Sequence, residues 1–344
     1  MTAAAPVREL RTIDAIREAL RDELVADPAV VILGEDVRVG GPFGATKGLV
    51  DEFGSERIRD TPISEAAVMG LAIGAAATGL RPIVEVMFMD FATLAMDQLV
   101  NHAAKLRYMS GGQLGIPLTI RMQAGASGAF GAHHSQSLEA WFAHVPGLKV
   151  IAASTPFDAY GLLRAAIRDP DPVLFIEHRA LYWTRGPVPL GETAIEPIGR
   201  ATLRRSGRDV TILAWSRLTA TATEAARLLE ADGIDAEVID VRSLQPLDTD
   251  LILRSVRRTR RAVVAHEAVR FGGLGAEIAA TIAAEAFGEL DAPVERVGAP
   301  FAPVPASPAL EALYVPDAIA IAAAARRAIG TDPRAAQASF REDP

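Results

Sequence analysis

The chain of 344 residues contains no cysteine, and this absence removes three kinds of chemistry at once. Disulfide bonds, cysteine-ligated zinc sites and thiol nucleophiles are all excluded, whatever fold the chain adopts. A protein without disulfides fits a reducing compartment, so we expect a cytoplasmic protein. The stretch from Met1 to Pro6 also lacks the basic and apolar regions of a secretion signal, which agrees with that expectation.

Positive charge and long apolar runs are in short supply as well. The chain has 43 acidic and 35 basic residues, which gives a formal net charge of −8 at pH 7. Because no basic stripe offsets the acidic excess, we expect no nucleic-acid partner. The most apolar stretch, residues 66–80, is interrupted by Gly70, Gly74 and Gly79 and is short for a bilayer. We interpret it as a buried helix and expect no membrane partner.

Common nucleotide and hydrolase motifs are missing or incomplete. The sequence has neither the Gly-x-x-x-x-Gly-Lys-Ser/Thr phosphate loop nor the Gly-x-Ser-x-Gly nucleophile turn. A Gly-rich stretch at 272–277 partly matches a dinucleotide-binding fingerprint, but Ile278 stands where the fingerprint needs a third small residue. We interpret the stretch as a helix start. The incomplete fingerprint argues against an NAD-dependent dehydrogenase. That alternative predicts that the isolated chain binds a nicotinamide cofactor.

What the chain does contain is the pattern of an α/β protein. Apolar, β-rich runs alternate with amphipathic helical runs, which predicts parallel sheets covered on both faces. The length suggests two domains, and the hydrophobic share of 50% allows large cores. Glycine and proline accumulate between Tyr182 and Pro197, as in a linker. We predict a first domain over 1–190, a linker over 191–198, a smaller second domain over 199–330 and a disordered tail over 331–344.

The periodicity also predicts the main elements. The predicted strands cover residues 30–33, 83–87, 117–122, 148–152, 172–177, 210–215, 235–240, 262–266 and 294–297. The predicted helices cover residues 65–79, 92–109, 156–168, 218–232, 273–288 and 317–329. Ser64 is the expected N-cap of the 65–79 helix, and Glu65 is favourably placed near its positive end.

Three segments carry candidate chemistry, and each has an ordinary structural reading beside it. Glu65 alone is equally an exposed acidic residue at a helix start. Met87 ends the 83–87 strand and Phe91 follows it. Both can be ordinary core residues, but ligands also bind at the carboxyl ends of parallel strands. His133 and His134 lie in a Gly-, Ala- and Ser-rich loop that is either plain surface or catalytic. A metal there is not expected, because no third histidine or paired carboxylate lies nearby in sequence.

Several longer segments point to one family when they are taken together. They are Leu33–Val37, Asp60–Glu65, Ala104–Tyr108, His134–Ser137, His144–Val150, Ala165–Pro172 and Leu244–Asp248. From about Val7 to Ile329 the chain resembles the β subunits of the E1 component of 2-oxo acid dehydrogenase complexes. That group includes pyruvate, branched-chain 2-oxo acid and acetoin dehydrogenases. The resemblance implies a transketolase-like fold, with a parallel-sheet pyrimidine-binding domain followed by a smaller α/β C-terminal domain.

The resemblance also implies thiamine diphosphate as the cofactor and assigns roles to particular residues. Glu65 would be the catalytic carboxyl group that activates the cofactor's pyrimidine ring, Phe91 would stack on that ring, and Met87 would lie beside it. His134, rather than His133, would be the catalytic histidine that assists acyl transfer to a lipoyl group. A monovalent-cation site, with K⁺ as the candidate ion, is implied at the backbone carbonyls of Ile120, Ala166, Asp169 and Asp171.

The resemblance also implies partner subunits, because part of the cofactor-binding site is missing from this chain. The Gly-Asp-Gly and distant Asn pair that hold Mg²⁺ and the diphosphate in such enzymes are missing from this chain. The resemblance therefore implies an α subunit, in an α2β2 heterotetramer, and an E2 lipoyl acyltransferase core.

The implied reaction breaks a C–C bond of acetoin or a 2-oxo acid and passes the acyl unit to the lipoyl group. Segments 85–91, 177–182 and 307–311 favour the acetoin type over the pyruvate or branched-chain type. An alternative of another class is a non-catalytic scaffold subunit. It predicts an exposed Glu65 and no effect of Phe91→Ala on cofactor affinity.

Overall fold

The computed structural model describes residues 7–192 and 194–330, and its contacts divide the chain into two compact units. The first unit runs to Gly199 and also contains Ser243–Pro246, whereas the second contains Arg200–Arg242 and the chain from Leu247 onward. The predicted linker, 191–198, falls at the end of the first unit. The predicted tail, 331–344, lies outside the described residues.

The helices and strands follow one another in chain order. Up to Gly199 they are β1 (Val7–Arg11), α1 (Thr12–Ala26), β2 (Val30–Gly34), α2 (Leu49–Phe53), β3 (Ile58–Asp60), α3 (Glu65–Ala77), β4 (Arg81–Val86), α4 (Leu106–Met109), β5 (Thr119–Ala124), α5 (Glu139–Ala143), β6 (Lys149–Ala152), α6 (Pro156–Arg168), β7 (Val173–His178) and β8 (Arg185–Pro189). Beyond Gly199 they are β9 (Thr202–Arg205), β10 (Val210–Ala214), α7 (Arg217–Glu230), β11 (Ala236–Asp240), β12 (Ser243–Gln245), α8 (Thr249–Thr259), β13 (Ala262–Val269), α9 (Leu274–Glu285), β14 (Glu295–Ala299), α10 (Pro308–Tyr314) and α11 (Ala318–Ile329).

The first unit is built on a seven-stranded sheet in the order β12-β6-β7-β5-β4-β2-β3. All neighbouring pairs are parallel except β12 with β6. Strands β2, β5 and β7 are buried along their whole length, and β2 is apolar throughout, as expected of a strand covered on both faces. Helix α1 buries Ile13, Ile16, Leu20 and Leu24 against α6.

One prediction for the first unit is wrong. Residues 92–109 are not one helix: a 3₁₀ turn covers Met89–Ala95, a π turn covers Gln98–Ala103, and only α4 is regular. Buried positions 89, 92 and 95 are three residues apart, which suits a 3₁₀ turn rather than an α-helix. No strand was predicted in the Gly- and Pro-rich stretch after Tyr182, but β8 lies there and pairs antiparallel with β1. Prolines are tolerated there because a two-stranded sheet has only edge strands.

The second unit has a five-stranded sheet in the order β14-β13-β10-β11-β9, in which only β9 is antiparallel. Helices α7 and α11 cover one core, with Leu218, Leu229 and Ile321 buried in it. Helix α8 was not predicted. Its N-cap is Asp248, whose side chain accepts a hydrogen bond from the backbone N–H of Leu251 at 3.1 Å.

By length and composition alone, residues 308–329 could cross a bilayer. They form two helices, α10 and α11, separated by Val315–Asp317. Helix α11 buries Ile321, Ala324 and Ala325 in the core of the second unit, which is how an apolar core helix is used in a globular domain.

His266 is an unusual core residue of the second unit. Its ring is fully buried and stacks on Trp215, with centroids 5.2 Å apart and planes 13° from parallel. Glycines at 273, 275 and 298 lie so close that an added Cβ would come within 2.6, 2.5 and 3.1 Å of a ring atom. Within the described residues neither ring nitrogen has a hydrogen-bond partner. Burial lowers the pKa of His266 to about 4.

This histidine predicts acid lability of the second unit. The folded-state pKa of about 4 lies below the ordinary value of 6.5, so the unfolded chain binds more protons between these two values. Stability is therefore expected to fall as pH falls through this window, by up to about 3 kcal/mol from this residue alone. The check is urea unfolding between pH 7 and 4. His266→Leu should show a shallower decline than wild type, and the exposed His144→Gln is the control. Equal declines in wild type and His266→Leu would refute the assignment.

Candidate active site

Five chain segments meet at the carboxyl edge of the first sheet. Because β2, β3, β4, β5 and β7 run parallel, the residues that follow each strand lie at one edge. The residues concerned are Glu35 after β2, Glu65 shortly after β3, Met87 after β4, Gly125 after β5 and Arg179 after β7. Ligands of open α/β sheets bind at this kind of edge.

Glu65 is the first residue of α3 and is half-buried. Ser64 is the N-cap as predicted, but its side chain makes no capping hydrogen bond. A small cavity of about 10 Å³ lies beside Glu65 and is also lined by Glu35, Thr61 and Glu85. Burial raises the pKa of Glu35, and the negative charges of Glu65 and Asp36 raise it further. Carboxyl groups are therefore concentrated at this point of the edge.

An aromatic cluster forms the other half of the edge. Phe88 lies at its centre, with ring centroids 5.8 Å from Phe91 and 6.0 Å from Phe130. The ring of His134 meets Phe88 and Phe91 edge-on, at centroid distances of 4.6 and 5.2 Å. Phe91, Met87 and His134 are all half-buried, whereas His133 is exposed. Two of the predicted residues, Phe91 and His134, are thus in direct contact.

Arg179 holds the loop that carries His134. Its guanidinium group donates hydrogen bonds to the backbone carbonyls of His134, Gly125 and Ser127, the last two at 2.8 and 3.4 Å. It also donates to the Ser135 hydroxyl at 3.2 Å and lies over the rings of Phe88 and Phe130, at 5.3 and 4.7 Å from their centroids. A buried arginine with this many acceptors fixes both the loop and the aromatic cluster.

Replacing this arginine with lysine tests its role. Arg179→Lys keeps the charge but loses the planar fork that reaches several carbonyls at once. We expect turnover to fall on the order of tenfold to a hundredfold because His134 is no longer held in place. Limited proteolysis should also cut the 125–137 loop faster than in wild type. Arg185→Lys, at an exposed position, is the control. Wild-type turnover and protease resistance in Arg179→Lys would show that the loop does not depend on this arginine.

A buried ion cluster lies in the strands directly below the edge. Arg121 of β5 donates to Glu85 of β4 at 2.6 Å and, through two nitrogens, to Glu177 of β7 at 2.7 and 3.0 Å. Tyr182 donates to Glu177 at 2.7 Å. Arg121, Glu85 and Glu177 are almost completely buried. Burial raises the pKa of Glu85, although the charge of Arg121 opposes this effect.

The residues predicted to bind a monovalent cation lie away from this edge. Ile120 is near the start of β5, and Ala166, Asp169 and Asp171 surround the end of α6. The Ala166 carbonyl accepts the backbone N–H of Asp169 at 3.2 Å. The Asp169 carbonyl is 3.5 Å from Arg81, and both Asp169 carboxylate oxygens are 2.7 Å from Lys149. No contact tests the predicted cation, so this site stays a prediction.

A larger cavity, of about 660 Å³, opens near the same corner. Its lining includes Arg107, Tyr108, Lys149, Asp171 and Pro246. Neither Glu65 nor any aromatic residue of the cluster lines this cavity. The candidate active site is therefore not at the larger of these two cavities.

Sequence analysis did not single out Glu35, Glu85, Phe88, Arg121 or Arg179. A signal existed for Glu85 and Arg121, since opposite charges stand inside two otherwise apolar strands. No comparable signal existed for Arg179, because its acceptors are backbone carbonyls some fifty residues away in the chain.

Comparison with known proteins gives a consistent result. Residues 8–184 match the family model of the transketolase pyrimidine-binding domain, and residues 199–321 match that of the transketolase C-terminal domain. The chain is 48% identical over 324 residues to the acetoin:2,6-dichlorophenolindophenol oxidoreductase subunit beta of Cupriavidus necator, covering 91% of this chain and 95% of that one. It is 46% identical over 329 residues to the mitochondrial pyruvate dehydrogenase E1 component subunit beta-2 of Oryza sativa subsp. japonica, covering 94% and 88%.

A solved structure agrees with these matches. A split gene transketolase, described as an inactive beta4 tetramer, is similar with a TM-score of 0.74 and 27% identity, covering 94% of this chain and 99% of that chain. The predicted fold, a parallel-sheet pyrimidine-binding domain followed by a smaller α/β C-terminal domain, is confirmed.

Proposed function

Because the chain belongs to the transketolase-like family of E1 β subunits of acetoin and pyruvate dehydrogenases, we propose that it is the β subunit of a thiamine diphosphate-dependent E1 enzyme. The observation that carries this proposal is that Glu65, Phe91 and His134 all follow strands at the carboxyl edge of one parallel sheet, with the rings of Phe91 and His134 in contact. The half-buried Glu65 does not fit the exposed glutamate that a scaffold subunit predicts.

The residues present suit the pyrimidine half of the cofactor. A carboxyl group and an aromatic ring are what a flat, basic heterocycle needs, and Glu65 and Phe91 provide them at the same sheet edge. When bound, thiamine diphosphate would supply a carbon nucleophile and a thiazolium ring able to take up the electron pair of the broken C–C bond. This chain supplies orientation and proton control.

Each residue has a defined task in this proposal. The Glu65 carboxyl group exchanges a proton with a pyrimidine ring nitrogen and so sets the protonation state of the ring. Phe91 packs on the ring face, with Met87 beside it. His134, held by Arg179, donates or accepts a proton during acyl transfer to the lipoyl group.

The other half of the site is proposed to come from an α subunit. Among the described residues no cluster of three His, Asp or Glu side chains is arranged to hold a metal ion. The Gly-Asp-Gly and distant Asn pair missing from the sequence support the assignment of Mg²⁺ and the diphosphate to the α subunit of an α2β2 assembly, which would pass the acyl unit to an E2 core in the cytoplasm. K⁺ at the carbonyls of Ile120, Ala166, Asp169 and Asp171 belongs to the same proposal. The last turn of α6 supports it, because helix C-termini attract cations.

The substrate is proposed to be acetoin, with pyruvate or a branched-chain 2-oxo acid as the alternative. The similarities to an acetoin enzyme and a pyruvate enzyme, 48% and 46%, differ too little to choose between them. The preference rests on segments 85–91, 177–182 and 307–311.

The test is co-expression with the α subunit and assay of thiamine diphosphate- and Mg²⁺-dependent reduction of an electron-accepting dye. Acetoin, pyruvate and branched-chain 2-oxo acids are offered in parallel. Activity with acetoin above the others supports the acetoin type, and activity with a 2-oxo acid instead reassigns the substrate. A well-formed complex that does not bind thiamine diphosphate would contradict the proposed function.

A further inference from the structure

We infer that the small cavity between Glu65 and Glu85 holds one ordered water, and that Glu85 positions the Glu65 side chain through this water. Glu85 is thus a positioning residue, one step removed from the cofactor. The inference rests on the proposed function for its catalytic meaning, but the water and the placement of Glu65 can be tested without turnover.

The cavity has the size and polarity of a site for a single water. Its volume is about 10 Å³, and it is lined by Glu35, Thr61, Glu65 and Glu85 together with apolar residues. A cavity of roughly 10–15 Å³ with two to four polar partners is sufficient for one water. Apolar cavities stay dry, but four of the residues that line this one carry oxygen in their side chains.

Two of the lining oxygens lack partners, and this points to an occupant. Thr61 Oγ1 and Glu85 Oε1 are buried and have no hydrogen-bond partner within the described residues. Buried polar atoms are nearly always bonded, and each unmet one costs stability. A water that donates to Glu85 Oε1 and accepts from Thr61 Oγ1 would satisfy both atoms at once. Its remaining hydrogen would point toward the carboxyl groups of Glu65 and Glu35.

Glu85 is held firmly enough to serve as an anchor. Its other oxygen, Oε2, accepts from Arg121 at 2.6 Å, and Arg121 is fixed on its opposite side by two bonds to Glu177. The backbone of Gly41 packs closely against the Glu85 carboxyl group, since a Cβ added at Gly41 would lie 2.5 Å from Glu85 Oε1. The carboxyl group therefore cannot rotate away without breaking the buried ion cluster.

A purely structural role for the cluster makes a different prediction. In that case both glutamates matter only as buried carboxylates bound to Arg121, and neither substitution affects the Glu65 side chain. Only Glu85 lines the cavity beside Glu65. The pair Glu85→Gln and Glu177→Gln therefore separates positioning from stability.

The experiment uses the assembled complex with the α subunit. We expect both variants to lose thermal stability, but only Glu85→Gln to move the acid limb of the kcat/KM profile to lower pH. Neighbouring carboxyl groups ionise more easily once a like charge is removed. Identical pH profiles for Glu85→Gln, Glu177→Gln and wild type would overturn the positioning role.

A second arm does not depend on activity. Crystal structures of the wild-type complex should show a water within hydrogen-bond distance of Thr61 Oγ1 and Glu85 Oε1. Thr61→Val should lose this water and Thr61→Ser should keep it, and the Glu65 side chain should shift in Glu85→Gln but not in Glu177→Gln. A dry cavity in wild type, or an unmoved Glu65 in Glu85→Gln, would overturn the inference. An inactive wild-type complex with the water in place would count against the proposed function alone.

Discussion

Glu65→Gln is expected to lower turnover of the assembled enzyme by at least about a hundredfold while the assembly stays intact. The amide keeps the size of the carboxyl group but cannot exchange a proton with a ring nitrogen, and general acid–base groups contribute about 10²–10⁴-fold. The measurement is dye reduction by the co-expressed complex at saturating thiamine diphosphate and Mg²⁺. Size-exclusion chromatography checks that the variant still assembles.

Glu56→Gln is the matched control for this prediction. Glu56 belongs to the same unit, but its side chain is 90% exposed and pairs only with the exposed Arg59. It should retain wild-type turnover. If the Glu65→Gln complex also turned over at close to the wild-type rate, the assignment of Glu65 would have to be withdrawn.

Arg121→Met is expected to have the largest effect on stability. Arg121 neutralises two carboxylates, Glu85 and Glu177, that are both almost completely buried. Removing one partner of a buried pair leaves uncompensated charge and typically costs about 3–5 kcal/mol of unfolding free energy. Urea unfolding of the purified complex measures the loss. A severe case would appear as insoluble protein.

Two further variants show whether charge is the cause. Arg59→Met breaks the exposed pair with Glu56 and should change the unfolding free energy by less than about 1 kcal/mol. Adding Glu85→Gln and Glu177→Gln to Arg121→Met removes the uncompensated charges and should restore part of the lost stability. A combined variant no more stable than Arg121→Met would indicate that packing, not charge, dominates.

Much of the first unit could be predicted because its elements carry strong periodicity. Helix α6 was predicted at its observed bounds, 156–168, and the buried strands were found within about two residues. Helix α8 could have been predicted, since Asp248 is a good N-cap and Ile252 and Val256 lie four residues apart on its buried face. The irregular 89–109 segment could not, because tertiary packing at the active-site edge overrides its helical propensity.

The residues of the candidate site also fall into those that the sequence indicates and those that it does not. Glu65, Phe91 and His134 could be proposed from the sequence because they lie in motifs or beside strand ends. Arg179 and Thr61 were missed because their roles depend on long-range contacts that leave no local pattern. The buried cluster around Arg121 lies between these cases. A charge inside an apolar strand is visible in the sequence, but its partners on two other strands appear only when the sheet order is known.

The central claim is that this chain provides one half of a shared active site. The most direct measurement is thiamine diphosphate-dependent turnover by this chain alone, by the α subunit alone, and by the two mixed in equal amounts. The account predicts no turnover by either subunit alone and restored turnover on mixing. Turnover by this chain alone would contradict it, because the chain would then hold the complete cofactor site by itself.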